Sequence, residues 1–224
     1  MALLRVEWCG HSYLVVKVEG GPVIALDPHD GGSIGLPECR VNADYTLITH
    51  THFDHNAKEM SGGTVIVKRL GEFRVGDVKV AGYKFYHDKA SGALRGDTAA
   101  YIIEVDGIRI AHMGDIGHVP PIGMLTPFEG VDILALPVGG VYTIDALEAN
   151  TIVELVKPKL VIPLHFWMPG VTLPLDTLDR FLNTSKSRRL RLEKAVVELE
   201  GPPSVERTTI IIPSKTVSGA RVLP

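Results

Sequence analysis

Glutamine is missing from all 224 residues and asparagine occurs four times, whereas proline occurs 15 times. Few thermolabile amides and many stiffened loops make up the composition of a thermophile's protein. Cysteine is nearly as scarce: Cys9 and Cys39 cannot build a disulfide framework, and both read as reduced, buried thiols. Every apolar run stops well short of the roughly 18 residues that a membrane-spanning helix needs, so no membrane partner is expected. The opening residues, "MALLRVEWCGHSY", lack a basic stretch followed by an apolar stretch and a cleavage site, which leads to an expected cytoplasmic location. Positive charge is not in excess either. A formal net charge of −3 excludes a bulk electrostatic grip on a polyanion, so nucleic acid is not the expected partner.

What is present is a series of short β-type runs: "SYLVVKV", "PVIALD", "YTLIT", "GTVIVK", "DVKVAGYKFY", "AAYIIEV" and "IRIAH". Turn signals such as "EGG", "VGD" and "VDG" separate them, predicting hairpins and a meander. "YLVVKVEGGPVIALDP" and "AYIIEVDGIRIAHMGD" are alike, each strand–turn–strand running to an aspartate, Asp27 and Asp115, which suggests a duplicated β-layer. Helices come later. "DALEANTIVELVKPK" places Asp145 and Glu148 at capping-box spacing, and "LDTLDRFLNTSKSRR" repeats its apolar pattern. "KLVIPLHF" between them, then "AVVELEG" and "ERTTIIIPS", read as strands. The basic run "KSRRLRLEK" reads as a solvated helix–strand junction. Nothing resembling a linker divides the chain, so residues 1–224 are expected to form one α/β domain.

The chemistry concentrates in "ITHTHFDHNAKEM". His50, His52, Asp54 and His55 fall within six positions at the end of an apolar strand. Side chains two apart on a strand point the same way, so His50 and His52 can reach one point. Asp54 and His55 follow at the turn, where a helix is expected to begin at "NAKEM". Imidazole and carboxylate packed this densely suit one or two zinc, manganese or iron ions. Three further groups sit where an apolar strand ends: His87, Asp115 (between two glycines) and His165. Ligands delivered repeatedly to one edge of a sheet assemble a site. His11, His118, Tyr142 and Trp167 are candidates for its surroundings, while His112 reads as structural and His29 as part of a flexible loop.

His-x-His-x-Asp-His after a strand, then a lone His, a Gly-Asp and a His ending an apolar strand together resemble the metallo-β-lactamase superfamily. "HMGDIG", "LPVGGVYTIDALEA" and "KPKLVIPLHF" are similar to its ascorbate-phosphate lactonase branch. The resemblance implies a four-layer αββα sandwich with two divalent metal ions, zinc before manganese or iron, at one edge of two sheets. It implies that His50, His52 and His87 hold one metal, that Asp54, His55 and His165 hold the other, and that Asp115 bridges them. Asp54 and Asp115 would then be the catalytic carboxylates. Asp27 would support a ligating histidine, and His11, Tyr142 and His118 would support the ligands or meet substrate. True β-lactamases of the superfamily are implied to carry cysteine where Asp115 stands. Two cations sharing a water bring its pKa from 15.7 to about 7, so a bridging hydroxide is the expected nucleophile toward a small ester, lactone or phosphoester. A phosphodiesterase acting on nucleic acid and a di-iron redox protein are the alternatives. The partner is expected to be a small-molecule substrate, and apolar strand edges leave room for a homo-oligomer.

Overall fold

Alternating burial along the strands organises the first half of the chain in the computed structural model, which describes residues 3–214. The chain runs through β1 (Leu4–Trp8), β2 (Leu14–Val18), β3 (Val23–Leu26), β4 (Tyr45–Ile48) and β5 (Thr64–Val67). It continues through β6 (Gly71–Val75), β7 (Val78–Tyr86), β8 (Asp97–Val105) and β9 (Ile108–His112). The second half alternates strand and helix: α1 (Ile122–Leu125), β10 (Ile133–Pro137), α2 (Ala146–Val156), β11 (Leu160–Leu164) and α3 (Leu178–Thr184). Strands β12 (Arg188–Arg191), β13 (Val196–Leu199) and β14 (Thr209–Ile212) complete it.

Two sheets result. One has the order β13-β1-β2-β3-β4-β5 and the other β12-β14-β11-β10-β9-β8-β7-β6. Each carries one of the two similar hairpins, β2–β3 and β8–β9. Leu14 and Val16 of β2, with Ile24 and Leu26 of β3, enter a core shared with the second sheet. Val15 and Ala25, between them, face the other way and pack with Cys9, Tyr13, Cys39 and Ala43. The period of two thus gives the first sheet two buried faces. Strands β10 and β11 are buried throughout, as parallel strands covered on both faces are.

The pairing fixes which strand ends meet. β3 and β4 are parallel, as are β9, β10 and β11. β7 reaches the same edge because it is antiparallel to β8, which is antiparallel to β9. The C-terminal ends of β3, β4, β7, β9 and β11 therefore lie at the sheet edges that carry Asp27, His50, His87, Asp115 and His165. Bonds between the sheets join those edges: the Ala99 amide donates to the Thr49 carbonyl at 2.9 Å, and the His165 amide to the His11 carbonyl at 3.3 Å.

Several expectations change in detail. α2 begins at the expected capping box, with Asp145 accepting from the amides of Leu147 and Glu148 while Glu148 accepts from the Asp145 amide. The second predicted helix is shorter. It ends at Thr184, and "RRLR" forms β12 at the edge of the second sheet, parallel to β14. Exposed arginines on an edge strand discourage pairing with another chain, so the basic run has a structural use. "NAKEM" makes only a single 3₁₀ turn, Lys58–Met60. α2 packs on α3 and β10, whereas Cys39 and Ala43 of the segment 28–43 pack against Val15 and Ala25 of the first sheet. Cys39 of that segment is joined to Cys9 by a disulfide, with Cα atoms 5.8 Å apart, which corrects the reading of two free thiols. Sequence spacing cannot reveal such a pairing. His29 is also corrected: its ring is buried, its Nε2–H donates to the Cys9 carbonyl, and its Nδ1 accepts the Gly31 amide. No helix among the described residues is long and apolar enough to cross a membrane.

Alkylation followed by intact-mass measurement should add two adducts only after reduction; two adducts without reductant would show the cysteines to be free. Cys39→Ser should lower stability by about 3.5 kcal/mol, the chain-entropy scale of a 30-residue loop. Asp145→Ala, which removes the cap of α2, should cost about 1 kcal/mol in thermal or denaturant unfolding.

Candidate metal centre

The centre is built on Asp27, the residue after β3. Its backbone is left-handed at φ 49° and its carboxylate is fully buried. The carboxylate accepts the Thr49 amide at 2.7 Å, the Thr49 hydroxyl at 2.6 Å and His55 Nδ1–H at 3.0 Å. The Thr49 proton is thereby committed, so its oxygen accepts His50 Nδ1–H at 3.0 Å. Both imidazoles are thus set with Nε2 as the free nitrogen, the arrangement in which a histidine can ligate a metal.

Two groups of donor atoms face each other. One nitrogen each from His50, His52 and His87 lie within 4.8 Å of one another, as do donor atoms of His11, Asp54, His55 and His165. His52 approaches through Nδ1, 3.1 Å from His50 Nε2, and is the most open of its group. Asp115 stands between the groups. Its Oδ2 is 3.3 Å from His87 Nε2 and 3.8 Å from His50 Nε2 on one side. On the other it is 3.2 Å from the Nε2 atoms of both His55 and His165. Asp115 Oδ1 is buried without a hydrogen-bond partner among the described residues. Asp27, His50 and His55 form a third combination, but three donors already satisfy the Asp27 oxygens, so its place is behind the ligands.

Burial alone would raise the carboxyls of Asp54 and Asp115. Surrounding histidines outweigh that and hold both below the usual carboxylate range, with His55, His11 and His165 acting on Asp54, and His165 and His55 on Asp115. Burial likewise disfavours charge on His55 and His165, but the two aspartates win. His165 rises to about 9 and His55 lies well above its ordinary value. For His50 and His11, burial and the neighbouring histidines outweigh the pull of nearby aspartates, and each is brought down to about 3. In the metal-free centre, His55 and His165 therefore carry protons opposite Asp54 and Asp115. Buried carboxylates facing movable protons and neutral imidazoles form a donor set that fits divalent cations.

The surroundings resolve less evenly. His11, left-handed at φ 50°, puts Nε2 3.0 Å from Asp54 Oδ2. A carboxylate can only accept, so this ring donates and braces Asp54. His112 uses both nitrogens structurally, donating to the Ser12 carbonyl and accepting the Gly114 amide. His118 is half-buried and donates from Nδ1 to the Tyr86 carbonyl at 3.2 Å. Tyr142 is half-buried under the Arg95 guanidinium, 4.6 Å from its ring centre. Trp167 lines a groove with Met168, Leu178 and Leu182, apart from the histidines. Two contributors escaped the sequence reading. Thr49, adjacent to His50, sets that ring's orientation. Asp88, adjacent to His87, accepts the amides of Ala90, Gly92, Leu94 and Arg95 and organises the next loop. An Asp opening a glycine-containing loop was the available signal for the second.

Comparison with known proteins gives consistent matches. Residues 5–165 match the family described as "Beta-lactamase superfamily domain". A UPF0173 metal-dependent hydrolase of Thermococcus onnurineus is 30% identical over 198 residues, covering 75% of this chain and 87% of that protein. Another from Archaeoglobus fulgidus is 26% identical over 228 residues, covering 87% and 96% respectively. Among solved structures, a proposed Zn-dependent hydrolase of the metallo-β-lactamase superfamily from Thermotoga maritima superposes with a TM-score of 0.75. It is 29% identical and covers 93% of this chain and 98% of its own.

Zinc titration of the metal-free protein at pH 7 should release about two protons, those of His55 and His165. Calorimetry in buffers of different ionisation enthalpy reads that number, and zero release would contradict the protonation pattern. Affinity should fall as pH drops, because protons then compete more strongly for the same nitrogens. Asp27→Ala should weaken metal binding about 10- to 100-fold by freeing the His55 ring.

Proposed function

This chain belongs to the metallo-β-lactamase superfamily, and on that premise we propose that its two donor groups each hold a divalent cation and hydrolyse a small ester, lactone or phosphoester. It is a metal-dependent hydrolase; the two-metal centre and the substrate class are the further reading. One observation carries it: a single oxygen, Asp115 Oδ2, lies between 3.2 and 3.8 Å from nitrogens of both groups. An oxygen so placed suits a ligand shared by two cations. Zinc is the first candidate for a His/Asp set, and manganese and iron share its preferences.

When bound, such cations supply Lewis acidity and a water acidified into the neutral range. The chain supplies the rest. His50, His52 and His87 present neutral nitrogens on one side, and His55 and His165 do so on the other once their protons have left. Asp54, braced by His11, stays ionised beside His55 and His165. It is positioned to orient the attacking water and to hold a proton in transit. No serine or cysteine nucleophile is required, and the Cys9 sulfur is committed to the disulfide. A small substrate fits a chain in which only 49 residues separate Asp115 from His165, too few to insert a separate substrate-binding domain.

Elemental mass spectrometry, run beside hydrolysis of bis-p-nitrophenyl phosphate and a simple lactone, tests the reading. About two equivalents of metal and chelator-sensitive turnover are expected, with the faster substrate choosing between phosphoester and acyl chemistry. Asp54→Ala should keep its circular-dichroism spectrum and lose activity roughly a thousandfold. Undiminished turnover in that variant, or two irons with neither substrate cleaved, would refute the proposal.

A further inference from the structure

The loop after His87 holds a cation whose charge meets no carboxylate among the described residues. Lys84 and Lys68 both pair with Asp97, and Lys89 pairs with Glu148 at 2.7 Å. Arg95 instead lies over the Tyr142 ring at 4.6 Å, with its side chain exposed. A guanidinium stacked on a ring keeps its in-plane N–H donors directed outward, and its planar fork matches phosphate and carboxylate oxygens.

Both partners sit close to the metal centre. Arg95 adjoins Gly96, whose carbonyl accepts the His87 amide at 3.0 Å. Tyr142 is three residues from Gly139, where an added Cβ would meet the His165 carbonyl oxygen at 2.0 Å. Three residues span at most about 11 Å, so the pair cannot lie far from two ligand-bearing turns. The Ile144 amide donates to the Ile116 carbonyl, next to Asp115, which fastens the Tyr142 loop to the third. The Arg95 loop is also fixed in advance. Asp88 accepts four of its amides at 2.7 to 3.0 Å, the Arg95 amide among them. Phe53, between His52 and Asp54 in sequence, is exposed.

We infer that Arg95, stacked on Tyr142 at the mouth of the metal centre, is a specificity residue that selects substrates carrying a phosphate or carboxylate oxyanion. The inference rests on the hydrolase reading above and narrows its substrate class to organic anions. Arg95 meets the anionic group through paired N–H donors, while Tyr142 holds the guanidinium in place.

The test compares metal-loaded wild type with Arg95→Met, Arg95→Lys and Tyr142→Leu. kcat/KM is measured for anionic bis-p-nitrophenyl phosphate and for uncharged p-nitrophenyl acetate. Binding of inorganic phosphate and of benzoate is measured separately by calorimetry, and the two anions distinguish phosphate from carboxylate preference. Arg95→Met should reduce kcat/KM for the anionic ester, and weaken the preferred anion, about 10- to 100-fold. The uncharged ester should change by less than about twofold. Arg95→Lys should recover part of the loss, keeping the charge without the fork, and Tyr142→Leu should lie between the two. Equal losses on charged and uncharged esters, or unchanged binding of both anions, would overturn the inference. If wild type cleaves neither ester, the hydrolase reading fails by itself, and the titrations still decide the role of Arg95.

Discussion

Three hydrogen bonds to one buried carboxylate hold the rest of the centre in place. Asp27 joins the end of β3 to the end of β4 by accepting the amide and hydroxyl of Thr49, and it fixes the His55 ring through Nδ1. A carboxylate buried without such donors would be strongly destabilising. With them, the requirement becomes a geometric constraint. Thr49 can satisfy Asp27 only by donating, so its oxygen is left to accept from His50, and the orientation of that ring follows. The directions of two candidate ligand histidines beyond one strand end thus descend from a residue beyond the end of the neighbouring strand.

A second constraint comes from how closely the loops interleave. Gly117 would place an added Cβ 2.4 Å from the Asp88 amide nitrogen and the His87 carbonyl carbon, and Gly139 would meet the His165 carbonyl oxygen at 2.0 Å. No larger residue fits at either position without moving a ligand-bearing segment. Glycine here lets two main chains touch, so that candidate donors just beyond the ends of β7, β9 and β11 share a single centre. The division of labour follows. Donor atoms sit at or just beyond the ends of strands whose positions the core enforces, whereas the exposed Arg95 side chain and Tyr142 sit on the loops between them.

The cluster of candidate donors was legible in the sequence because much of it is local. His50, His52, Asp54 and His55 fall within six residues, and an apolar run ending in His165 or leading to Gly-Asp115 marks its own strand end. α2 was legible because Asp145 and Glu148 announce their cap. What escaped depends on pairing across long separations. The disulfide of Cys9 with Cys39 spans 30 residues and is invisible to composition. β12 reads as a charged junction because its strand character comes from docking beside β14, not from its own residues. His11 could not be placed because its role, bracing Asp54 from 43 positions away, exists only once β1 and β4 lie in the same sheet.

The mixture of acids and bases also bears on how the buried charges of such a centre are balanced before any cation binds. Structural zinc sites often unfold when empty because nothing else balances their ligands. Here His55 and His165 carry protons opposite Asp54 and Asp115, so buried negative charge is already compensated. The same coupling softens the loss of a single carboxylate. Removing one acid lowers the tendency of its histidine partners to hold a proton, and a neutral imidazole is far easier to bury than a charged one. The imbalance is then absorbed by release of a proton rather than by unfolding. Fold and chemistry are separable for that reason: the sheets and the Asp27 bonds specify where the donor atoms lie, while protons, or the cations proposed to replace them, would balance the buried carboxylates.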